Sequence, residues 1–446
     1  MTGQPADARP SRRPFRRREL GETTALLVAA CQRKPDPREL SAHARQLARA
    51  DAYDRFVEVA DRHGVLGLAL STLDRAGALT RDDAAAPLQA TLHGLRRRAA
   101  LLALERENVL RTLAQHDVSA VVLKGAGLSA TVYSTPVERN YGDIDLLLSP
   151  DAIPVALDAL ARAGYHASGS DAVVAAYREH HFHYRVQRGQ GMIVELHWAL
   201  TAAREPYHLD ESAFFEQSRA ARRIDADGES ASVARSFRVP CPEHALMHIV
   251  VENVRDGFSR LTRIVDVDRI VASAPDIDWD LVQSTARDGR LAPALALALD
   301  VSGRLFGTEV PAEVTRALRP TRAVRLHLSL LRPVPSLLRQ RATTRTTWIA
   351  LLQFWLLSGQ SRRSAIARML RGDDADPLAW IWNGEDEGAP VRPRLRDRLL
   401  RAQKMALYQL AIYAAALAPS DAGIRRLSTR SASPRAPARG RATEPA

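Results

Sequence analysis

At residue 118 the chain changes the period of its apolar residues. Upstream, "LRRRAALLALERENVLRTLAQHDV" repeats Leu95, Ala99, Leu102, Val109 and Leu113 near helical spacing, which predicts a long amphipathic helix. Downstream, "VSAVVLK" is a short run of β-prone apolar residues closed by Gly125, and "AGLSATVY" then reads as a helix. "YGDIDLLLSP", bounded by Gly142 and Pro150, predicts a second strand. "DAIPVALDALARAG" returns to helix, with Asp151 as its N-cap and Gly164 as its stop. "HFHYRVQ" and "MIVELHW" read as two further strands joined by the glycine-containing turn "RGQG". From "VPCPEHALMHIVVENV" onward the pattern is helical again, with Pro242 suited to a first turn.

This order predicts an α/β (α+β) unit with a small mixed sheet, flanked by mostly helical regions. The boundaries drawn from it are a basic tail over 1–19, a helical region over 20–116, the α/β core over 117–235, a helical domain over 236–420 and a second basic tail over 421–446. The net charge of +12 owes much to the tails, whose "RPSRRPFRRREL" and "IRRLSTRSASPRAPARGRA" lack any apolar period and read as disordered. Removing both tails from the account leaves a core that is only mildly basic. The basic tails offer contacts to RNA or an anionic membrane, or simply keep the chain soluble.

Two distant cysteines, Cys31 and Cys241, argue against a disulfide framework and a zinc ribbon, and fit a reducing cytoplasm. The N-terminal stretch is charged and has no apolar run of the kind a secretory signal carries. The most apolar runs, "WIALLQFWLL" and "MALYQLAIYAAALA", fall short of the roughly 20 residues that span a bilayer and read as buried helices. Trp348, Phe354 and Trp355 in the first of them are expected to be core.

The strand "DIDLLL" carries the chemistry. Residues i and i+2 of a strand share a face, so Asp143 and Asp145 project together while Ile144 and Leu146 turn away. Two adjacent carboxylates raise one another's pKa unless a cation sits between them. Hard divalent ions such as Mg²⁺ take oxygen ligands through one or two carboxylates and share the remaining positions with substrate phosphates. In "MIVELHW", Glu195 shares a face with Ile193 and His197 and offers a third carboxylate from a neighbouring strand. Lys124 and Gly125, at the strand-to-helix turn, offer a cation and backbone N–H groups for a phosphate. Arg139, four residues before Asp143, is placed to reach the same phosphates. The chain has three lysines, Lys34, Lys124 and Lys404, and one of them falls in this turn.

Other Asp-X-Asp pairs weigh differently. Asp266 and Asp268 lie in helical context, where i and i+2 diverge, and Asp276, Asp278 and Asp280 precede a helix as caps. Both sets read as structural. In "REHHFHYR", His181 and His183 share a strand face, but no cysteine is near and the carboxylates favour harder ions than zinc. His197 reads as a hydrogen-bond partner of the carboxylates or a substrate contact. His244 and His248 in "PEHALMH" have the wrong order for a His-Glu-X-X-His zinc helix and read as packing residues.

The set "LKGAGL", Arg139, "GDIDLLL" and "VELHW" resembles a family of largely uncharacterised bacterial nucleotidyltransferases of the DNA polymerase β-like superfamily, over roughly residues 100 to 290. The resemblance implies that Asp143 and Asp145 are metal ligands and that Glu195 is the third carboxylate, a ligand and a base for the acceptor. Gly125 would mark the nucleotide-phosphate turn. The turn departs from the superfamily's usual Gly-Ser or Gly-Gly, since Lys124 precedes a single glycine and Gly127 follows only after Ala126. The implied activity is Mg²⁺-dependent transfer of NMP from an NTP, with ATP the expected donor and Mn²⁺ the alternative ion, releasing pyrophosphate. The acceptor is a small molecule, a peptide or protein, or RNA. The alternative is a catalytically degenerate nucleotidyltransferase fold that binds a peptide, protein or RNA partner.

Overall fold

The computed structural model describes residues 22–47, 52–79, 86–167, 183–189, 191–201, 205, 207–221 and 237–319. Both basic tails, the apolar runs at 348–357 and 405–418, and His180 and His181 lie outside the described residues. Helices α1 (Glu22–Ala30), α2 (Pro37–Leu47), α3 (Ala52–Arg62), α4 (Leu66–Arg75) and α5 (Ala86–Ala114) precede the sheet. In α5, Leu88, Leu92, Ala99, Leu102, Val109 and Leu113 are buried at intervals of three, four and seven, the one-sided stripe that the sequence predicts.

Among the described residues, seven short strands form one mixed sheet. They are β1 (Val121–Val122), β2 (Asp143–Leu147), β3 (His166–Ala167), β4 (His183–Gln187), β5 (Ile193–His197), β6 (Arg219–Ala220) and β7 (Arg238–Val239), in the spatial order β3-β4-β5-β2-β1-β7-β6. β2 and β5 lie side by side in parallel at its centre, flanked by antiparallel β1 and β4. The two-residue strands β3, β6 and β7 escape a sequence reading because an alternation cannot be recognised over two residues.

Between strands run α6 (Lys124–Thr131), a 3₁₀ turn at Pro136–Arg139, and α7 (Ile153–Arg162). The last helix starts two residues later than its expected Asp151 cap, because Pro150–Ala152 forms a 3₁₀ turn ahead of it. Gly164 follows the helix at φ 86°, a left-handed position that a glycine adopts without steric cost. After the sheet come α8 (Glu211–Glu216), α9 (Pro242–Arg255), α10 (Leu261–Ser273), α11 (Trp279–Asp288), α12 (Ala292–Phe306) and α13 (Ala312–Ala317). Asp278 caps α11 by accepting from the backbone N–H groups of Asp280 and Leu281.

Strand alternation splits the core in two. Ile144 and Leu146 of β2 and Val194 and Leu196 of β5 pack with Leu102, Val109, Leu113, Ile153 and Leu160 of α5 and α7. Val121, Leu123 and Leu147 belong to the larger cluster, which includes Leu246, Met247 and Val250 of α9. The acidic residues of β2 and β5 are on the same side as Leu147. The sheet therefore packs against α5 and α7 on one face, and on the other holds its carboxylates beside α9.

Candidate active site

Register brings the carboxylates together. Asp145 and Glu195 are direct partners across the parallel β2–β5 ladder, and Asp143 lies two residues back on the same face. Donor oxygens of Asp143, Asp145 and Glu195 all lie within 4.8 Å of one another. Hard oxygen donors this close, with few protein ligands, suit a Mg²⁺-like ion that keeps several positions for water or phosphate.

The three carboxyls differ in their surroundings. Lys124 Nζ donates to Asp145 Oδ1 at 3.0 Å, and His197 Nε2 stands 2.9 Å from the same oxygen. Burial opposes ionisation of Asp145, but Lys124 and His197 outweigh it and hold this carboxyl well below its ordinary range. Glu195 is likewise penalised by burial yet held low by hydrogen bonding to His197. Its Oε1 accepts from Arg185 Nε at 2.7 Å, and its Oε2 is 3.4 Å from His197 Nε2. Asp143 is pushed up to about 6 by burial and by the neighbouring charges of Asp145 and Glu195. The cluster thus carries one carboxyl short of positive charge, which is the electrostatic condition a bound cation relieves.

Lys124 is held in an unusual way. It begins α6 at φ 42°, in the left-handed region that costs an L residue about 1–2 kcal/mol. Strain of this kind persists only when the surroundings enforce it. Here Nζ spans Asp145 and Glu252 Oε1, the latter at 3.6 Å. Burial would lower its pKa, but Asp145 and Glu252 raise it above the ordinary lysine value, so the side chain stays an ammonium. The following glycines permit close approach: a Cβ on Gly125 would stand 2.7 Å from Tyr141 Cβ, and one on Gly127 would stand 2.6 Å from the carbonyl oxygen of Val122.

Glu252 is a site-bordering residue that the sequence reading did not single out. It lies on α9, and besides Lys124 it accepts from Arg255 Nη1 at 2.9 Å and Arg263 Nη2 at 3.0 Å. A glutamate inside the apolar run "HIVVENV" was the available signal, since a buried charge needs a partner. His183 and Arg185 of β4 also reach Glu195, at 3.7 Å and 2.7 Å, because Arg185 pairs with Glu195 and His183 with His197 across the β4–β5 ladder.

Arg139 bonds to a different carboxylate, that of Asp266. Its Nε and Nη2 donate to the two oxygens of Asp266 at 2.7 and 2.9 Å, and Nη1 donates to the carbonyl of Asn140. All three nitrogens have partners within the protein, so the buried guanidinium ties the 3₁₀ turn to α10, and its Nη1 lies beside Gly125, 3.4 Å from where a Cβ there would stand. Asp266 also accepts from Tyr133 Oη, and Asp268 pairs with Arg33 and Arg269 and accepts from Thr308. Both aspartates have the structural role read from their helical context. The structure brings Lys124, Asp143, Asp145, Glu195 and His197 together, with Gly125 at the turn and Arg139 paired with Asp266.

A family model described as an uncharacterised nucleotidyltransferase matches residues 50–307, more than half of the chain. No curated protein and no solved structure matches it.

Proposed function

Because the chain belongs to the uncharacterised nucleotidyltransferase family, we propose that it transfers the NMP moiety of an NTP, with ATP as donor, to an acceptor and releases pyrophosphate. The observation that carries this reading is the convergence of Asp143, Asp145 and Glu195 beside the strained Lys124 turn. Parallel strands holding the three carboxylates also support placement in the DNA polymerase β-like superfamily, with residues 117–235 as the catalytic unit. A cytoplasmic location is proposed with it; no described helix is long and apolar enough to cross a membrane.

Asp143, Asp145 and Glu195 are the residues that would hold Mg²⁺ or Mn²⁺. When bound, such an ion supplies positive charge against the phosphates and the developing negative charge. Asp143, the least neutralised of the three, gains most from that charge. His197 orients Asp145 and Glu195 by hydrogen bonding, so the two carboxylates are set before substrate arrives. Glu195 is the group placed to accept the proton of an acceptor hydroxyl once Arg185, whose side chain is 52% exposed, moves aside. The N–H groups that open α6 and the Lys124 ammonium offer the phosphate site.

A second reading has one observation behind it. Lys124 already neutralises Asp145, as it would in a fold that binds nucleotide or a partner without turnover. One experiment separates the two. The full chain is incubated with ATP labelled at the α-phosphate, Mg²⁺ and extract of the native host. Transfer of label to a discrete acceptor, lost in D143N, supports the enzyme. Absence of magnesium-dependent ATP binding overturns the enzyme and leaves the degenerate fold that binds a peptide, protein or RNA partner.

A further inference from the structure

We propose that His183, Glu195 and His197 form a second cation position that takes a borderline transition ion of the Zn²⁺ or Co²⁺ class. It adjoins the all-oxygen position and meets the nucleotidyltransferase reading at two residues, the shared Glu195 and His197, whose Nε2 hydrogen bond to Asp145 it replaces.

Backbone register builds this set. His183 and His197 are direct partners across the antiparallel β4–β5 ladder, and Glu195 precedes His197 by two residues on the same strand face. The two imidazoles accordingly lie side by side, with ring centroids 5.0 Å apart. One donor atom from each of the three residues falls within 4.8 Å of the others. His183 Nε2 is 3.7 Å from Glu195 Oε1, and His197 Nε2 is 3.4 Å from Glu195 Oε2. Ligand atoms bound tetrahedrally at 2.0–2.2 Å stand about 3.4 Å apart, close to each of these two spacings, which run to the two oxygens of Glu195.

The donor chemistry separates the two positions. Imidazole nitrogen suits zinc, cobalt, copper and nickel, whereas carboxylate and water oxygen suit magnesium. A His₂Glu set supplies three protein ligands and leaves a further position for water or substrate. All three side chains are at least nine-tenths buried, so an ion there would be screened little by solvent. Ligation by His197 uses the Nε2 lone pair. The proton on that atom leaves or the ring takes the Nδ1–H tautomer, and Asp145 keeps Lys124 as its partner. Arg185 gives up Glu195 Oε1 at small cost because its side chain is already half in water.

The test is optical. Untagged full-length chain, stripped of metal and held in excess Mg²⁺, is titrated with Co²⁺. The expected result is one equivalent of Co²⁺ with the intense visible bands of a nitrogen-ligated, low-coordinate ion, erased by one equivalent of Zn²⁺. H183Q should weaken Co²⁺ binding by more than the roughly 10–100-fold that loss of an outer partner costs. D143N should keep the bands while losing Mg²⁺-dependent ATP binding, which separates this proposal from the assigned function. Circular dichroism establishes that H183Q is folded; the wild-type spectrum stands as a test without any variant. Weak bands of an all-oxygen octahedral ion, displacement of Co²⁺ by Mg²⁺, or bands that survive in folded H183Q would each overturn the proposal.

Discussion

Lys124 and Asp145 form a buried ion pair, Nζ to Oδ1 at 3.0 Å, across the junction of the first strand-to-helix turn and the central strand. A cation supplied by the chain therefore already stands against one of the carboxylates suited to an external cation. That pairing makes the two aspartates unequal, although they are two residues apart on one strand face.

The inequality predicts opposite effects of similar substitutions. D145N leaves the buried Lys124 with Glu252 alone and should lower stability by roughly 2–4 kcal/mol. D143N removes a carboxylate crowded by Asp145 and Glu195, and should leave stability within about 0.5 kcal/mol or raise it slightly. Urea unfolding in EDTA measures both. Equal destabilisation would show that Lys124 does not discriminate between them.

Glu252 is expected to be the most sensitive residue at the border of the site. Substitution by Gln leaves Lys124, Arg255 and Arg263 facing one another without their shared counter-charge, and should cost about 3–5 kcal/mol. Burial opposes its ionisation, but Lys124, Arg263 and Arg255 prevail and hold its pKa below the ordinary 4.5. A depressed carboxyl contributes stability that is fully present above pH 4.5 and is lost as pH falls through the folded value. Stability curves of E252Q and wild type should therefore run parallel at full separation above pH 4.5 and converge as pH falls below it.

His248 carries the opposite chemistry into the same neighbourhood. Burial, then the charge of Lys124, depresses it well below 6.5, against the opposing pull of Glu252 and Asp145. Between that depressed value and 6.5 the unfolded chain binds a proton here and the folded chain does not. Stability is thus full above 6.5 and declines as pH drops, by at most about 1.4 kcal/mol per pH unit for this one group. H248Q should flatten that part of the profile, as read from chemical denaturation between pH 5 and 7; an unchanged slope would assign the dependence to other groups.

Glycines supply a contrast in packing. G127A would drive a methyl against the Val122 carbonyl, and G125A against Tyr141 Cβ, each costing about 1–3 kcal/mol and displacing Lys124. G94A, in α5 with no atom near its added Cβ, should instead gain up to about 1 kcal/mol from helix propensity. Thermal melts of the three variants decide the matter.

Much of the centre was legible because strand periodicity fixes side-chain faces: Asp143, Asp145, Glu195 and His197 followed from position within two short runs. Their partners were harder to see. Glu252 lies 128 residues beyond Lys124 in the numbering, and its meeting with Lys124 depends on how α9 packs against the sheet. Arg139 shows the same limit, since its partner Asp266 lies 127 residues away in sequence. The contacts of His183 and Arg185 with Glu195 required the β4–β5 register, which the two strand patterns alone do not reveal.

The tie between Lys124 and Glu252 bears on how this protein can be cut. A fragment ending at residue 235 would keep every carboxylate of the candidate site yet lose the helix that anchors the lysine, together with the Leu246, Met247 and Val250 side chains of the shared core. Arg255 and Arg263, which hold Glu252 in turn, push the shortest self-sufficient version past residue 263. The 117–235 unit is not a detachable cassette: expressing it with Lys124 anchored means carrying α9 and the start of α10 along.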